Sequence, residues 1–96
     1  MSLISDLENI ANTSSFPLDI TAATKLLQLK RKWDRGEYNG NHMQAMEDVS
    51  TTWKSYYRDL YLNSSPNKAF WIEFHNLGRG GHRKFHHLCL EQPPPA

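Results

Sequence analysis

Hydrophobic residues recur every three or four positions over most of this chain, which is the period of an α-helix. Leu3 and Leu7 begin the first such stripe. Ser5 opens a Ser-x-x-Glu sequence of the kind that caps helix N-termini. We therefore predict a first helix near residues 3–12.

A second stripe follows a polar loop and ends in a cluster of cations. Asp19 stands at its start and is a good N-cap residue, while Leu26 and Trp33 fall on one face of the predicted helix. Gly36 follows the last basic turn and is typical of a helix end. The sequence thus predicts a second helix from about Asp19 to the residues before Gly36.

The longest unbroken periodicity starts after Asn41. Gln44 stands three residues further on, so the pair has the form of a capping box. The apolar and aromatic side chains that then step by three or four predict an amphipathic helix of about twenty residues. They are Met43, Met46, Val49, Trp53, Tyr56, Tyr57 and Leu60.

Ser65 and Pro66 form a good N-cap and first-position pair, and they predict a fourth helix over 66–77. A short strand is the alternative at 70–75, where aromatic and apolar residues alternate with polar ones. A lone strand has no evident mate, which favours the helix. After a glycine-rich break, residues 82–90 predict a last short helix.

Together these elements predict a small all-α domain of four to five helices, with a short β segment near 70–75 as the remaining alternative. A chain of 96 residues holds one hydrophobic core. We assign residues 1–91 to a single helical domain. Residues 92–96 contain three consecutive prolines and predict an extended tail.

Composition narrows the class of protein. Hydrophobic residues make up 39% of the chain and aromatic residues 11%, which is too apolar for a disordered protein. No run approaches the roughly 18 apolar residues of a membrane span, and the first residues lack the features of a secretion signal. Cys89 is the single cysteine and cannot form an internal disulfide. We expect a cytoplasmic protein with no membrane association.

The formal net charge of +1 conceals a concentrated basic segment. Residues 25–35 hold five basic side chains against one acid, a local charge of +4. Cations at a helix C-terminus complement the helix dipole, so this cluster has a purely structural interpretation as well. We take Lys30, Arg31 and Arg35 as candidate contacts to a partner.

Four histidines and Cys89 lie within fifteen residues near the C-terminus, and His82 with His86 has the spacing of two zinc ligands on one helix face. The chain contains no Cys-x-x-Cys pair, however, and the spacing matches no closed structural zinc site. It also lacks a nucleophile elbow and a phosphate-binding loop. We therefore predict a protein without a metal, a cofactor or an enzymatic activity.

Aromatic and basic residues near the C-terminus are the second set of candidate contacts, since Trp, Tyr and Arg dominate binding hot spots. The set is Trp71, Arg79, Arg83, Lys84 and His86. Two basic clusters with aromatic neighbours also suit phosphates and unstacked bases, so a small nucleic-acid-binding protein is the alternative function. Internal packing of the aromatic rings is the structural alternative.

Pro66 follows two serines in a predicted loop. Proline bonds in such places can isomerise or be recognised by a prolyl isomerase. Pro66 is therefore a candidate contact to a prolyl isomerase of the cell.

Several features across the chain are similar to those of a known protein family. They are the Met1-Ser2-Leu3 opening, the aromatic run Trp53-Lys54-Ser55-Tyr56-Tyr57, the Pro66 loop and the Pro93-Pro94-Pro95 tail. In these the chain resembles the small anti-RecBCD accessory proteins of lambdoid bacteriophages. The resemblance implies a non-enzymatic protein that binds the host RecBCD helicase-nuclease through RecC and favours phage recombination. Proteins that imitate DNA are strongly acidic, so this slightly basic chain is expected to modulate RecBCD without blocking DNA.

Overall fold

A computed structural model describes residues 3–62, 65–78 and 81–91. The helices are α1 (Leu3–Thr13), α2 (Pro17–Asp34), α3 (His42–Leu62), α4 (Lys68–His75) and α5 (His82–Phe85), and a π-helical segment (His86–Leu90) continues α5. The described ranges contain no strand, which confirms the all-α class. Residues 70–75 lie in α4, so the strand alternative is wrong. No helix in these ranges is both long and apolar enough to cross a bilayer.

The starts of the first two helices differ from the prediction. Helix α1 already includes Leu3, so Ser5 lies inside it and is not its N-cap. Helix α2 begins at Pro17, whose locked backbone suits the first helical position. Asp19 is therefore the third residue of α2, and the prediction that it caps this helix is wrong.

The start of α3 is the predicted one. The side-chain oxygen of Asn41 accepts a hydrogen bond from the backbone N–H of Gln44 at 3.1 Å, which is the geometry of an N-cap. Val49, Trp53 and Leu60 point into the core as the periodicity requires. Met43 does not, because its side chain remains 78% exposed at the first turn of the helix.

Helices α2 and α3 pack together as the centre of the fold. Helix α1 covers α2, and α4 packs on α3. The C-terminal helix, formed by α5 and the π-helical segment, contacts α1, α2 and α3. The largest fully buried apolar side chains come from all of these elements and form one core: Leu7, Leu26, Val49, Leu60, Trp71, Phe74, Phe85 and Leu88.

A buried carboxylate joins the start of α2 to the start of α4. Asp19 is fully buried. Its Oδ1 accepts hydrogen bonds from the Ser65 hydroxyl at 2.6 Å and the Trp71 indole N–H at 3.0 Å. Its Oδ2 accepts from the Asn67 amide at 2.7 Å and the Ser14 hydroxyl at 3.2 Å. Four neutral donors thus compensate for the loss of water around this charge.

Ser65 occupies a different place from the one predicted. Helix α4 begins at Lys68, and Asn67 takes the N-cap position. The Ser65 hydroxyl accepts a hydrogen bond from the backbone N–H of Asn67 at 3.0 Å while it donates to Asp19. Ser65 therefore anchors the turn before α4 to α2.

Burial of Cys89 gives a testable dependence of stability on pH. Burial raises the pKa of this thiol to about 12, whereas a cysteine in an unfolded chain ionises near pH ~8.5. Above that pH the unfolded state loses a proton that the folded state retains, so stability falls as the pH rises toward the folded pKa. We expect this loss to approach about 1.4 kcal/mol per pH unit.

The measurement is urea unfolding of the wild-type chain and of Cys89→Ala at several pH values between 7 and 10.5. Because the variant lacks the thiol, the wild-type advantage in unfolding free energy should shrink steadily above pH ~8.5. Two curves that stay parallel over this range would contradict the burial of Cys89.

Candidate functional site

An open groove runs along the outer side of α2, and it is the strongest candidate site in the described part of the chain. Its volume is about 520 Å³. Six of the lining residues belong to α2 or directly follow it, and one belongs to α3. They are Lys25, Gln28, Leu29, Arg31, Lys32, Arg35 and Thr52. Four of these side chains are cations and none is a carboxylate.

Helical periodicity explains why these residues come together. Positions 25, 28, 32 and 35 differ by three or four, so they lie on one face over about three turns. Leu26 and Leu27 lie on the other side of α2 and are buried in the core. The groove therefore lies on the polar face of an amphipathic helix, and α3 contributes Thr52 as one wall.

The structure divides the basic cluster that the sequence predicted. Arg31 and Arg35 line the groove. Lys30 does not, because it lies on the side of α2 that faces the C-terminal helix and its Nζ pairs with Asp34 Oδ1 at 2.7 Å. Lys30 is therefore not part of the groove, and its contact with a partner stays a prediction.

The groove cations differ in how far they are already paired. The Arg35 guanidinium forms an ion pair with Glu37. The Lys32 ammonium lies 4.5 Å from the centre of the Tyr38 ring, a cation–π contact. Within the described ranges Lys25 and Arg31 form no ion pair. These two side chains are the most available for a negatively charged ligand.

The loop between α2 and α3 lies at one end of the groove and is held in place by Tyr38. Its hydroxyl donates a hydrogen bond to Asp48 at 2.6 Å, and its ring is buried. Burial and the hydrogen bond to the Asp48 carboxylate raise the pKa of Tyr38, so it remains a neutral donor. Because this bond joins the loop to α3, it fixes the position of the Lys32 and Arg35 end of the groove.

Four groove residues besides Lys32 were not singled out from the sequence: Lys25, Gln28, Leu29 and Thr52. Lys25 stands seven residues before Lys32, and this spacing places both on one helix face. That signal was available in the sequence. Thr52 was not predictable in this way, since its position depends on how α3 packs against α2.

Trp71 belongs to the core and not to a contact surface. It is fully buried, its ring centre lies 5.8 Å from that of Trp53, and its N–H is bonded to Asp19. Trp53, Phe74 and Phe85 are buried as well. The prediction of Trp71 as a partner contact is wrong, because the surplus of rings is used to fill the space between α3 and its neighbours.

Lys84 is also buried, with 2% of its surface exposed. Its Nζ donates hydrogen bonds to the carbonyl oxygens of His75, at 3.2 Å, and of Gly78. It thus caps the C-terminal end of α4, where a cation complements the helix dipole. Burial lowers the pKa of this ammonium group. The prediction of Lys84 as a partner contact is wrong for this reason.

The other C-terminal candidates do not join the groove. Arg83 and His86 are exposed on the C-terminal helix. This helix packs against the face of α2 that carries Trp33, whose ring centre is 5.0 Å from that of Phe85. The groove opens on a different face. Arg79 lies outside the described residues.

Neither aromatic ring expected beside the basic clusters is free to stack on a base. Phe85 is buried, and Trp33 meets both Phe85 and His42 edge to face with ring centres 5.0 Å apart. These two rings therefore lend little support to nucleic-acid binding by stacking.

The histidines near the C-terminus differ in their contacts, although the rings of His86 and His87 meet edge to face with centres 5.6 Å apart. His82 Nδ1 lies 3.1 Å from the sulfur of Met46, His87 pairs with Glu91, and Cys89 is buried. In the described ranges no three His, Cys, Asp or Glu side chains are grouped so that they could hold a metal ion. Pro66 is exposed in the turn before α4, and its contact with a prolyl isomerase stays a prediction.

Comparisons with protein-family models, with curated proteins and with solved structures gave no match to this chain.

Proposed function

We propose that this chain is a non-enzymatic protein that binds and modulates the host RecBCD helicase-nuclease through RecC, and that the basic groove on α2 is its contact surface. The partner's identity rests on the resemblance to phage anti-RecBCD proteins. The observation that supports the surface is a groove with four cations and no carboxylate among its lining residues. In a chain whose net charge is only +1, that concentration of charge defines one face.

Charge on this surface favours a protein partner over nucleic acid as the main ligand. Nucleic-acid-binding domains are as a rule strongly basic, with a pI above ~9, whereas the pI of this chain is about 7.9. A local basic surface on a neutral domain suits a complementary acidic surface, which orients the partners and speeds association. In this proposal such a contact leaves the DNA path of RecBCD open.

Reversing the charge of Arg31 tests this surface. We expect Arg31→Glu to bind purified RecBCD at least tenfold more weakly, a loss of about 1.4 kcal/mol or more, because an unpaired cation becomes an anion facing the same partner charge. The measurement is biolayer interferometry on immobilised RecBCD, repeated on isolated RecC and at several salt concentrations.

Lys68→Glu is the matched control, since Lys68 is an exposed cation on α4 outside the groove. It should bind like the wild type, and circular dichroism of both variants should match that of the wild type. Absence of any association between the wild-type chain and RecBCD would overturn the partner. Equal losses in both variants would overturn the site.

The alternative, a small nucleic-acid-binding protein, makes a different prediction in the same experiment. Affinity for a DNA oligonucleotide would exceed that for RecBCD and would fall steeply with salt through counterion release. The groove cations favour it, whereas Phe85 is buried and Trp33 packs against Phe85 and His42.

A further inference from the structure

We infer that the groove on α2 takes a short acidic polypeptide segment of its partner, lying along the helix, and not a continuous polyanion. This inference rests on the proposed function, because it names the chemistry of the partner surface at the same site. The charge, the length and the surroundings of the groove each support it.

The length of the groove sets the length of the ligand. Its lining on α2 runs from Lys25 to Arg35, and ten residues of helix rise about 15 Å. An extended segment covers this distance with four or five residues. Lys25 and Lys32 lie on the same face with a rise of about 10.5 Å between them. In an extended chain, side chains two or four positions apart share a face and lie about 7 or 13 Å apart, which brackets this distance.

The lining suits side-chain carboxylates on a polypeptide. Arg31 offers a planar guanidinium without an ion pair among the described residues, and this group binds carboxylates in a bidentate manner. Leu29 and Thr52 supply apolar atoms beside the cations. A segment that alternates acidic and small apolar residues could therefore bury its apolar atoms while its carboxylates reach the cations.

Acidic residues lie at one end of the groove and limit how far a polyanion could extend. Asp34 and Glu37 lie at the C-terminal end of α2. At the other end, the sequence before Lys25 contains no Lys or Arg. DNA carries one negative charge per ~1.7 Å and would continue past both ends. Repulsion at the C-terminal end and the lack of further cations before Lys25 disfavour DNA, whereas a segment of four or five residues matches the length of the basic stretch.

The test is an NMR titration of the ¹⁵N-labelled chain with a nine-residue peptide, acetyl-Glu-Ala-Glu-Ala-Glu-Ala-Glu-Ala-Glu-amide, at up to 5 mM. We expect shifts concentrated at the groove residues, and an affinity at least fivefold weaker for Arg31→Glu but unchanged for Lys68→Glu. The control ligand replaces each Glu with Gln and should leave the spectrum unchanged. A nine-nucleotide oligothymidylate and vesicles with 30% phosphatidylserine are titrated in parallel.

Each outcome separates the inference from the proposed function. The inferred acidic segment would be wrong if the Glu peptide caused no shifts, or if the oligonucleotide or the vesicles bound more strongly at the groove. This would hold even if the chain still bound RecBCD. If the chain bound the peptide at the groove but did not bind RecBCD, the acidic ligand would be supported and only RecBCD as the partner would be overturned. Shifts confined to residues outside the groove would also refute the inference.

Discussion

Replacing Asp19 with alanine is expected to destabilise the fold by about 4 kcal/mol or more. The substitution leaves the Ser65 hydroxyl and the Trp71 indole N–H without their acceptor in a buried site. Each orphaned buried donor costs about 1–3 kcal/mol, and bonds to a charged acceptor are at the upper end. Since a domain of this size has only about 5–15 kcal/mol of stability in all, the variant should be largely unfolded under mild denaturing conditions.

Urea unfolding followed by tryptophan fluorescence measures this effect directly, because Trp71 is one of the bonded donors. Asp34→Ala is the control, since it removes a carboxylate from an exposed pair with Lys30. Such i,i+4 pairs contribute about 0.3–0.5 kcal/mol. A loss below about 1 kcal/mol in Asp19→Ala would show that the network around this carboxylate does not hold α4 to α2.

Gly81→Ala is expected to have an effect of similar size for a purely steric reason. A β-carbon at this position would lie 1.8 Å from the carbonyl oxygen of Met46 and 3.0 Å from the backbone nitrogen of Ser50. Both atoms belong to α3, whose hydrogen-bonded backbone cannot yield by the distance required. The C-terminal helix must therefore move away from α3, and we expect a loss of about 3 kcal/mol or more.

Gly36→Ala separates this steric effect from the general cost of replacing a glycine. Gly36 has a φ of +74°, but a β-carbon there would meet open space. The left-handed backbone conformation alone should cost about 1–2 kcal/mol. Urea unfolding of both variants gives the comparison. Equal losses would mean that the C-terminal helix does not approach α3 as closely as the structure places it.

Both predictions concern the scaffold on which the groove depends. Asp19 fixes the N-terminal end of α2, and Gly81 allows the C-terminal helix to pack against α3 near that helix's start. The exposed face of α2 is free to bind because its opposite face is covered by these neighbours. Variants of Asp19 or Gly81 should therefore lose partner binding together with the fold, whereas Arg31→Glu should lose binding alone.

Helix positions were largely predictable because they depend on local spacing. The periodicity after Asn41 and the side chain of Asn41 itself determine where α3 starts, and both act within a few residues. The basic character of α2 was likewise visible in the sequence. The seven-residue spacing between Lys25 and Lys32 places both on one helix face, so Lys25 was also predictable as part of the basic surface.

The amino-acid sequence alone determined that this chain is mostly helical, with a basic second helix and a long amphipathic third one, because these properties come from neighbours three or four residues apart. The structure decided that residues 70–75 are helix as well. Tertiary structure alone decided which polar and aromatic residues are buried. Asp19 meets Trp71 across 52 positions, and Lys84 caps a helix that ends before it. Aspartate and lysine side chains usually lie at the protein surface. Only the packing of distant segments supplies the partners that make their burial favourable.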